Sequence, residues 1–254
     1  MTNVDNPESF GFQPFASRTL SDLAFVTIER AIVTGQIAPG SKISEAELAK
    51  SFGISRGSLR EALRRLEGRK LIERIPHVGV RVIRLDIRQV LDAFHVREVL
   101  EGMACGLAAQ RMSDSDLDEL QRILASHRDS KPVQRGDAYF QDAGDFDFHY
   151  RIALGSRNDT LRELLCEDLY YPLRVYRYQS GTVPGRAQEA FKQHSEILAA
   201  LRARDSDQAE RLMRQHIAEA RSILQSTWAM EEHKAASNAA DTAGKLAATA
   251  ELPK

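Results

Sequence analysis

Apolar positions recur with a helical period over most of this chain, and one short stretch alternates like strands instead. Residues 21–34 carry Leu23, Val26, Ile28, Ile32 and Val33, which predicts a helix with one apolar face. Gly35, Pro39 and Gly40 end it and turn the chain, with a short strand at Lys42 and Ile43. Residues 45–52 read as a second helix, with Ser44 as its N-cap. Gly53 supplies a sharp turn, and Ser55 caps a third helix that runs to about Gly68. Leu59, Leu63 and Leu66 form its buried stripe, while Arg56, Arg60, Arg64 and Arg65 take the other positions. Residues 71–75 and 78–83 read as two strands joined by a turn at Pro76, His77, Val78 and Gly79, the tip of a wing.

From Ile87 onward the pattern is helical to the end. Helices are predicted at 87–111, 114–129, 138–155, 159–179, 185–204 and 206–232, with residues 131–137 as a loop. Residues 84–86 make a linker too short for independent tumbling, so the two parts must sit close together. Residues 1–17 show no period and read as a flexible arm. The alanine-rich residues 235–254 lack an apolar stripe and are expected to be disordered. The predicted fold is mainly α: a winged helix-turn-helix domain over 18–84, then an all-α helical bundle over 87–232.

Composition adds limits. The chain has 254 residues, enough for two domains, and its 43% apolar and 28% charged residues are ordinary for a globular protein. No apolar run is long enough to cross a membrane, and the N-terminus lacks the pattern of a signal peptide. Cys105 and Cys166 read as free buried thiols in a reducing cytoplasm. Charge is the informative quantity. Residues 18–84 hold 13 Lys and Arg against 7 Asp and Glu, and the rest of the chain holds 22 against 29. A basic front and an acidic back hide inside a near-neutral total, the footprint of a nucleic-acid module joined to something else.

A helix of this size fits the DNA major groove. The same pattern also fits an ordinary helical hairpin with a solvated basic face. Two stretches go further: Leu48-Ala49-Lys50-Ser51-Phe52-Gly53-Ile54-Ser55-Arg56 and Leu59-Arg60-Glu61-Ala62-Leu63-Arg64-Arg65-Leu66. With Ile37-Ala38-Pro39-Gly40 before them and Gly79-Val80-Arg81-Val82 after, they resemble the winged helix-turn-helix of GntR-type transcription factors. The resemblance implies base or phosphate contacts from Ser55, Arg56, Ser58 and Arg60, and minor-groove contact near His77 and Gly79. Gly57-Ser58 stands where the family usually has Thr-Pro, and Ala46 where it often has Arg, so the operator can differ from the common one.

In the rear part, Asp145 and His149 are four apart on one predicted helix and point the same way. His194 and His216 lie 22 residues apart, about equally far from a turn near Asp205. Three imidazoles and a carboxylate converging inside a bundle make a divalent transition-metal site, zinc first, with nickel, manganese or iron as alternatives. Each histidine taken alone also fits a surface or satisfied core position. Asp145 through His149, Gln193 through Leu198, and Ala209 through His216 resemble the metal motif of the FCD effector domain, which implies all four as ligands. Such a metal accepts a small carboxylate, and Arg97, where FCD domains typically show an arginine, is the candidate second clamp. Its alternative is a salt bridge with Glu101. Tyr171, Arg174 and Tyr178 share a helical face and are further candidates for the effector cavity.

The expectation is a ligand-responsive DNA-binding regulator, a cytoplasmic homodimer on a pseudo-palindromic double-stranded operator. Relief of repression by a small carboxylate effector is the usual sense in proteins it resembles. The competing readings are a regulator that senses the metal alone, and a metalloenzyme in which the same ligands activate water.

Overall fold

The computed structural model describes residues 19–135, 141, 143–144 and 147–250, apart from the side chains of 132 and 231–250. The expected arm over 1–17 lies outside these residues.

Thr19 and Asp22 form a reciprocal capping box that starts α1, Leu20–Val33. Its buried face is Ala24, Phe25, Ile28, Ile32 and Val33, whereas Leu23 and Val26, expected inside, are exposed. Apolar residues nearly encircle this helix, so the pattern leaves its rotation undecided, and Phe25 wins the core because it buries the larger surface. β1 is Lys42–Ile43, α2 is Glu45–Phe52 and α3 is Arg56–Gly68. Between α2 and α3, Gly53 takes φ of 63°, a left-handed position that a side chain would strain. Leu59, Leu63 and Leu66 of α3 are fully buried, each contributing about 1.5–3 kcal/mol by leaving water. β2, Ile72–Ile75, and β3, Gly79–Val82, are antiparallel, and β1 adds to β3 to give the order β1-β3-β2. This is the expected winged helix.

The helical domain begins at α4, Ile87–Arg111, capped by Asp86. α5 is Asp114–Arg128, and a short α6, Lys131–Arg135, occupies part of the expected loop. α7 is Phe148–Gly155, so the helix expected from 138 starts at Phe148, where Asp147 caps it. α8, Asp159–Arg162, passes into a wider π-helical stretch, Glu163–Leu169, and then into α9, Tyr170–Gly181. α10 is Arg186–Arg202 and α11 is Ser206–Ala250. The tail expected to be disordered is thus helical to Ala250, in keeping with the high helix propensity of alanine. α4 and α11 lie side by side. At Gly106 the backbone of Ser206 comes so near that an added Cβ would sit 3.3 Å from its carbonyl oxygen.

The domains are packed together, as the short linker requires. Tyr176 on α9 accepts a hydrogen bond from the Leu85 amide at 3.0 Å and donates to the Leu85 carbonyl at 3.2 Å. Cys105 and Cys166 are free and buried, and burial pushes the Cys166 thiol up to about 12.

Candidate metal centre and DNA-reading surface

His149 is the second residue of α7, His194 lies mid-way along α10, and His216 lies on α11. All three are buried. His194 Nε2 is 3.1 Å from His149 Nε2 and 3.2 Å from His216 Nε2. Tetrahedral ligands on a zinc ion with ordinary Zn–N bonds would sit roughly 3.3 Å apart. The far ring nitrogens are also engaged: His149 Nδ1 meets Glu101 Oε2 at 2.6 Å, and His216 Nδ1 meets Gln193 Oε1 at 2.7 Å. Both partners are acceptors, so each imidazole donates from Nδ1 and turns a bare Nε2 inward. His194 Nε2 has at most one proton to share between two such lone pairs. A cation at the centre satisfies all three, and the residues therefore fit a metal.

The electrostatics agree. Burial, then the charge of the neighbouring histidines, holds His194 and His216 well below the usual imidazole range. Burial also lowers His149, against the pull of Glu101. Neutral imidazole is the form that binds metal. Burial would raise Glu101, but Arg97 and His149 outweigh it and keep its carboxylate charged. Phe148 stacks on His194 with ring centroids 4.3 Å apart, which fixes the ring plane. Asp145 lies outside the described residues. Its neighbour Asp147 is buried, caps α7 through the amides of His149 and Tyr150, and pairs with Arg177 at 3.0 Å.

A cavity of about 60 Å³ opens beside the histidines, room for a few water molecules. Arg97, Arg174, Arg177, Arg186, Asp147 and Tyr178 line it together with the three imidazoles. Arg97 makes the salt bridge with Glu101 and also lines the cavity. Its Nε and NH2 grip Glu101 Oε1 at 2.6 and 2.5 Å, while its buried NH1 has no hydrogen-bond partner among the described residues. Arg174 and Tyr178 reach the cavity. Tyr171 is not among its lining residues; it carries the Arg69 guanidinium at 4.2 Å from its ring centre, at the domain junction. Sequence reasoning missed Asp147, Arg177, Arg186 and Gln193. Gln193 adjoins His194 and could have been suspected, but the others follow from packing alone.

On the front domain, Ser55 caps α3 by accepting from the Ser58 amide at 3.1 Å. Arg56 and Arg60 are exposed at the start of the helix. Glu45 of α2 receives Arg60 at 3.1 Å and Arg74 of the wing at 3.0 Å, tying reading helix to wing through one carboxylate. His77 and Gly79 form the wing tip with φ of 62° and 102°.

Residues 21–82 match the family described as bacterial regulatory proteins, gntR family, and residues 92–219 match the FCD domain. The HTH-type transcriptional repressor RspR of Escherichia coli is 30% identical over 211 residues, covering 81% of this chain and 91% of that protein. The HTH-type transcriptional regulator LutR of Bacillus subtilis is 26% identical, covering 76% and 95%. Among solved structures, Escherichia coli McbR/YncC superposes with a TM-score of 0.65 at 23% identity, covering 84% of this chain and all of that one. These domains and relatives are those of transcriptional regulators, not of enzymes.

Proposed function

Because this chain belongs to the GntR family of bacterial regulatory proteins, with an FCD domain behind its winged helix, we propose a metal-dependent repressor released by a small carboxylate. The observation that carries this reading is the meeting of three buried Nε2 atoms in a cavity that Arg97 also lines, its buried NH1 without a hydrogen-bond partner among the described residues. His149, His194 and His216 would hold zinc or a similar divalent ion, with Asp145 as the fourth ligand. When bound, the ion supplies a Lewis-acid position for one carboxylate oxygen. Arg97 NH1 supplies the second grip and orients the acid. The alternative, in which the ion alone is the signal, leaves that buried NH1 unexplained.

At the other end, Ser55, Arg56, Ser58 and Arg60 enter the major groove of the operator while His77 and Gly79 approach the minor groove. One such head touches few base pairs, so the protein works as a homodimer on a pseudo-palindrome. Val96, Val99 and Met103 support this: they lie on one face of α4, each nearly half exposed. Operator duplex selected from a random pool, titrated by gel shift with the zinc-loaded protein and then with a panel of small mono- and dicarboxylic acids, tests the scheme. Binding that zinc supports and at least one of these acids weakens is the expected result. Binding indifferent to the whole panel would refute the acid-sensing half.

A further inference from the structure

Arg174 serves both domains. It lines the cavity, yet its NH1 donates to Glu29 Oε1 at 2.6 Å, and Glu29 belongs to α1 of the DNA-reading domain. Both side chains are buried, 5% and 7% exposed. The second Glu29 oxygen accepts from Arg69 NH1 at 3.2 Å, and Arg69 is the C-cap of α3, the reading helix. Arg174 NH2 meanwhile donates to the Gln141 carbonyl at 2.9 Å. Val33, one turn beyond Glu29 on α1, forms part of the cavity wall. An unbroken run of contacts therefore leads from the cavity through Arg174 and Glu29 to the end of the reading helix.

We propose that Glu29 is the resident anion of a second carboxylate subsite, and that the effector is a small acid with two anionic groups. This rests on the reading that the cavity takes an acid. One carboxylate goes to the histidine end and Arg97; the other takes the place of Glu29 on Arg174. Breaking a buried ion pair is costly when one charge is left bare, and much less so when an incoming carboxylate replaces the one that leaves. With Arg174 taken, Glu29 holds only Arg69, and the charged tie between α1 and α9 is gone. Arg174 NH1 is held by Glu29, so the second carboxylate can take that place only once Glu29 has withdrawn. That supplies the difference in affinity between two arrangements without which no ligand can shift them. A monoacid is satisfied at Arg97 and leaves the Glu29 pair in place.

The test uses the full zinc-loaded chain, succinate and lactate as probes, and a selected operator duplex. In the wild type, succinate should raise the melting temperature and weaken operator binding about 10-fold, while lactate binds with little effect on DNA. In Glu29→Gln, operator affinity should already lie near the succinate-bound value and respond no further to succinate. Glu29→Asp, which keeps the charge, should keep the response. A Glu29→Gln protein that responds like the wild type overturns the inference. So does regulation by lactate alone, although acid sensing then stands. If neither acid binds the wild type, both readings fall. Should Glu29→Gln not fold, the contrast between succinate and lactate on the wild type decides by itself.

Discussion

Glu101 Oε2 holds His149 Nδ1 at 2.6 Å, and the other oxygen of the same carboxylate carries Arg97. One buried anion thus orients a proposed metal ligand and the cavity-lining Arg97 together. Two consequences follow for Glu101→Gln. The amide still accepts from His149 but no longer strengthens it as a donor, and Arg97 loses its counter-charge. Zinc affinity should fall about 10- to 100-fold, the usual cost of removing a partner behind a ligating histidine. Competition with a chelating dye measures it, and an unchanged affinity would remove the metal site from the account.

Arg56 opens the reading helix with its side chain in solvent and is not needed for packing. Arg56→Ala should leave the melting temperature unchanged and cost about 1–3 kcal/mol of operator binding, with the preference over random duplex lost. If the contact is to phosphate rather than a base edge, the loss is uniform across sequences and the salt slope drops by about one. A variant that still prefers the operator at full strength would place the reading surface elsewhere.

The elements were legible where local chemistry is strong. Ser44 and Ser55 are N-caps, Gly53 makes the turn, and the Leu59–Leu63–Leu66 stripe is the core of the front domain, all as the pattern requires. His194 and His216 meet because they lie equally far on either side of the turn near Asp205, which spacing alone can suggest. What spacing could not reach is the polar frame. Glu101 is one helical turn from Arg97 and was visible as its partner, but nothing local ties it to His149, 48 residues away. Glu29 and Arg174, 145 residues apart, are invisible for the same reason. Tyr171 shares a predicted face with Arg174, yet one residue of helical rotation sends it to the domain junction. Long-range ion pairs depend on tertiary packing, and pattern reading carries no information about it.

The exposed stripe on α4 gives a separate expectation. Val96, Val99 and Met103 lie 49%, 49% and 46% exposed in the isolated chain. Val99→Glu should leave the melting temperature of the front domain intact but convert a dimer to monomer in sedimentation. Operator affinity should drop steeply with it, because each head alone reads only a half-site. A Val99→Glu protein that still sediments as a dimer would move the interface to another face.

The histidines also set a pH dependence for the metal-free protein. Burial depresses all three in the folded state, and neighbouring histidine charge adds to it at His194 and His216, which shift the furthest. In the unfolded chain each takes up a proton near about pH 6.5. Below that the unfolded state binds more protons than the folded one, so stability falls as pH falls; above it the histidine contribution is complete and flat. We expect the melting temperature of chelator-treated protein to drop between about pH 6.5 and pH 5 and to be level from about pH 7 to 8. His194→Gln should reduce the slope, since Gln does not titrate. An equally steep drop in that variant would assign the effect to other groups.

Arg97 offers the cleanest separation of acid sensing from folding and metal binding. The guanidinium spends Nε and NH2 on Glu101, and its buried NH1 has no hydrogen-bond partner among the described residues. Lysine has one point charge in place of that fork, so it can neutralise Glu101 but cannot also reach a ligand. Arg97→Lys should therefore keep the fold and hold zinc within about 10-fold, because the charge beside Glu101 survives. Its response to any small acid that regulates the wild type should weaken by about 10- to 100-fold, the value of a charge-assisted hydrogen bond at a buried site. Arg97→Met should go further and abolish the response, since no charged donor then remains at that position. If Arg97→Lys senses the acid at wild-type concentrations, the buried NH1 is a packing feature and the acid is gripped by Arg177 or Arg186 instead.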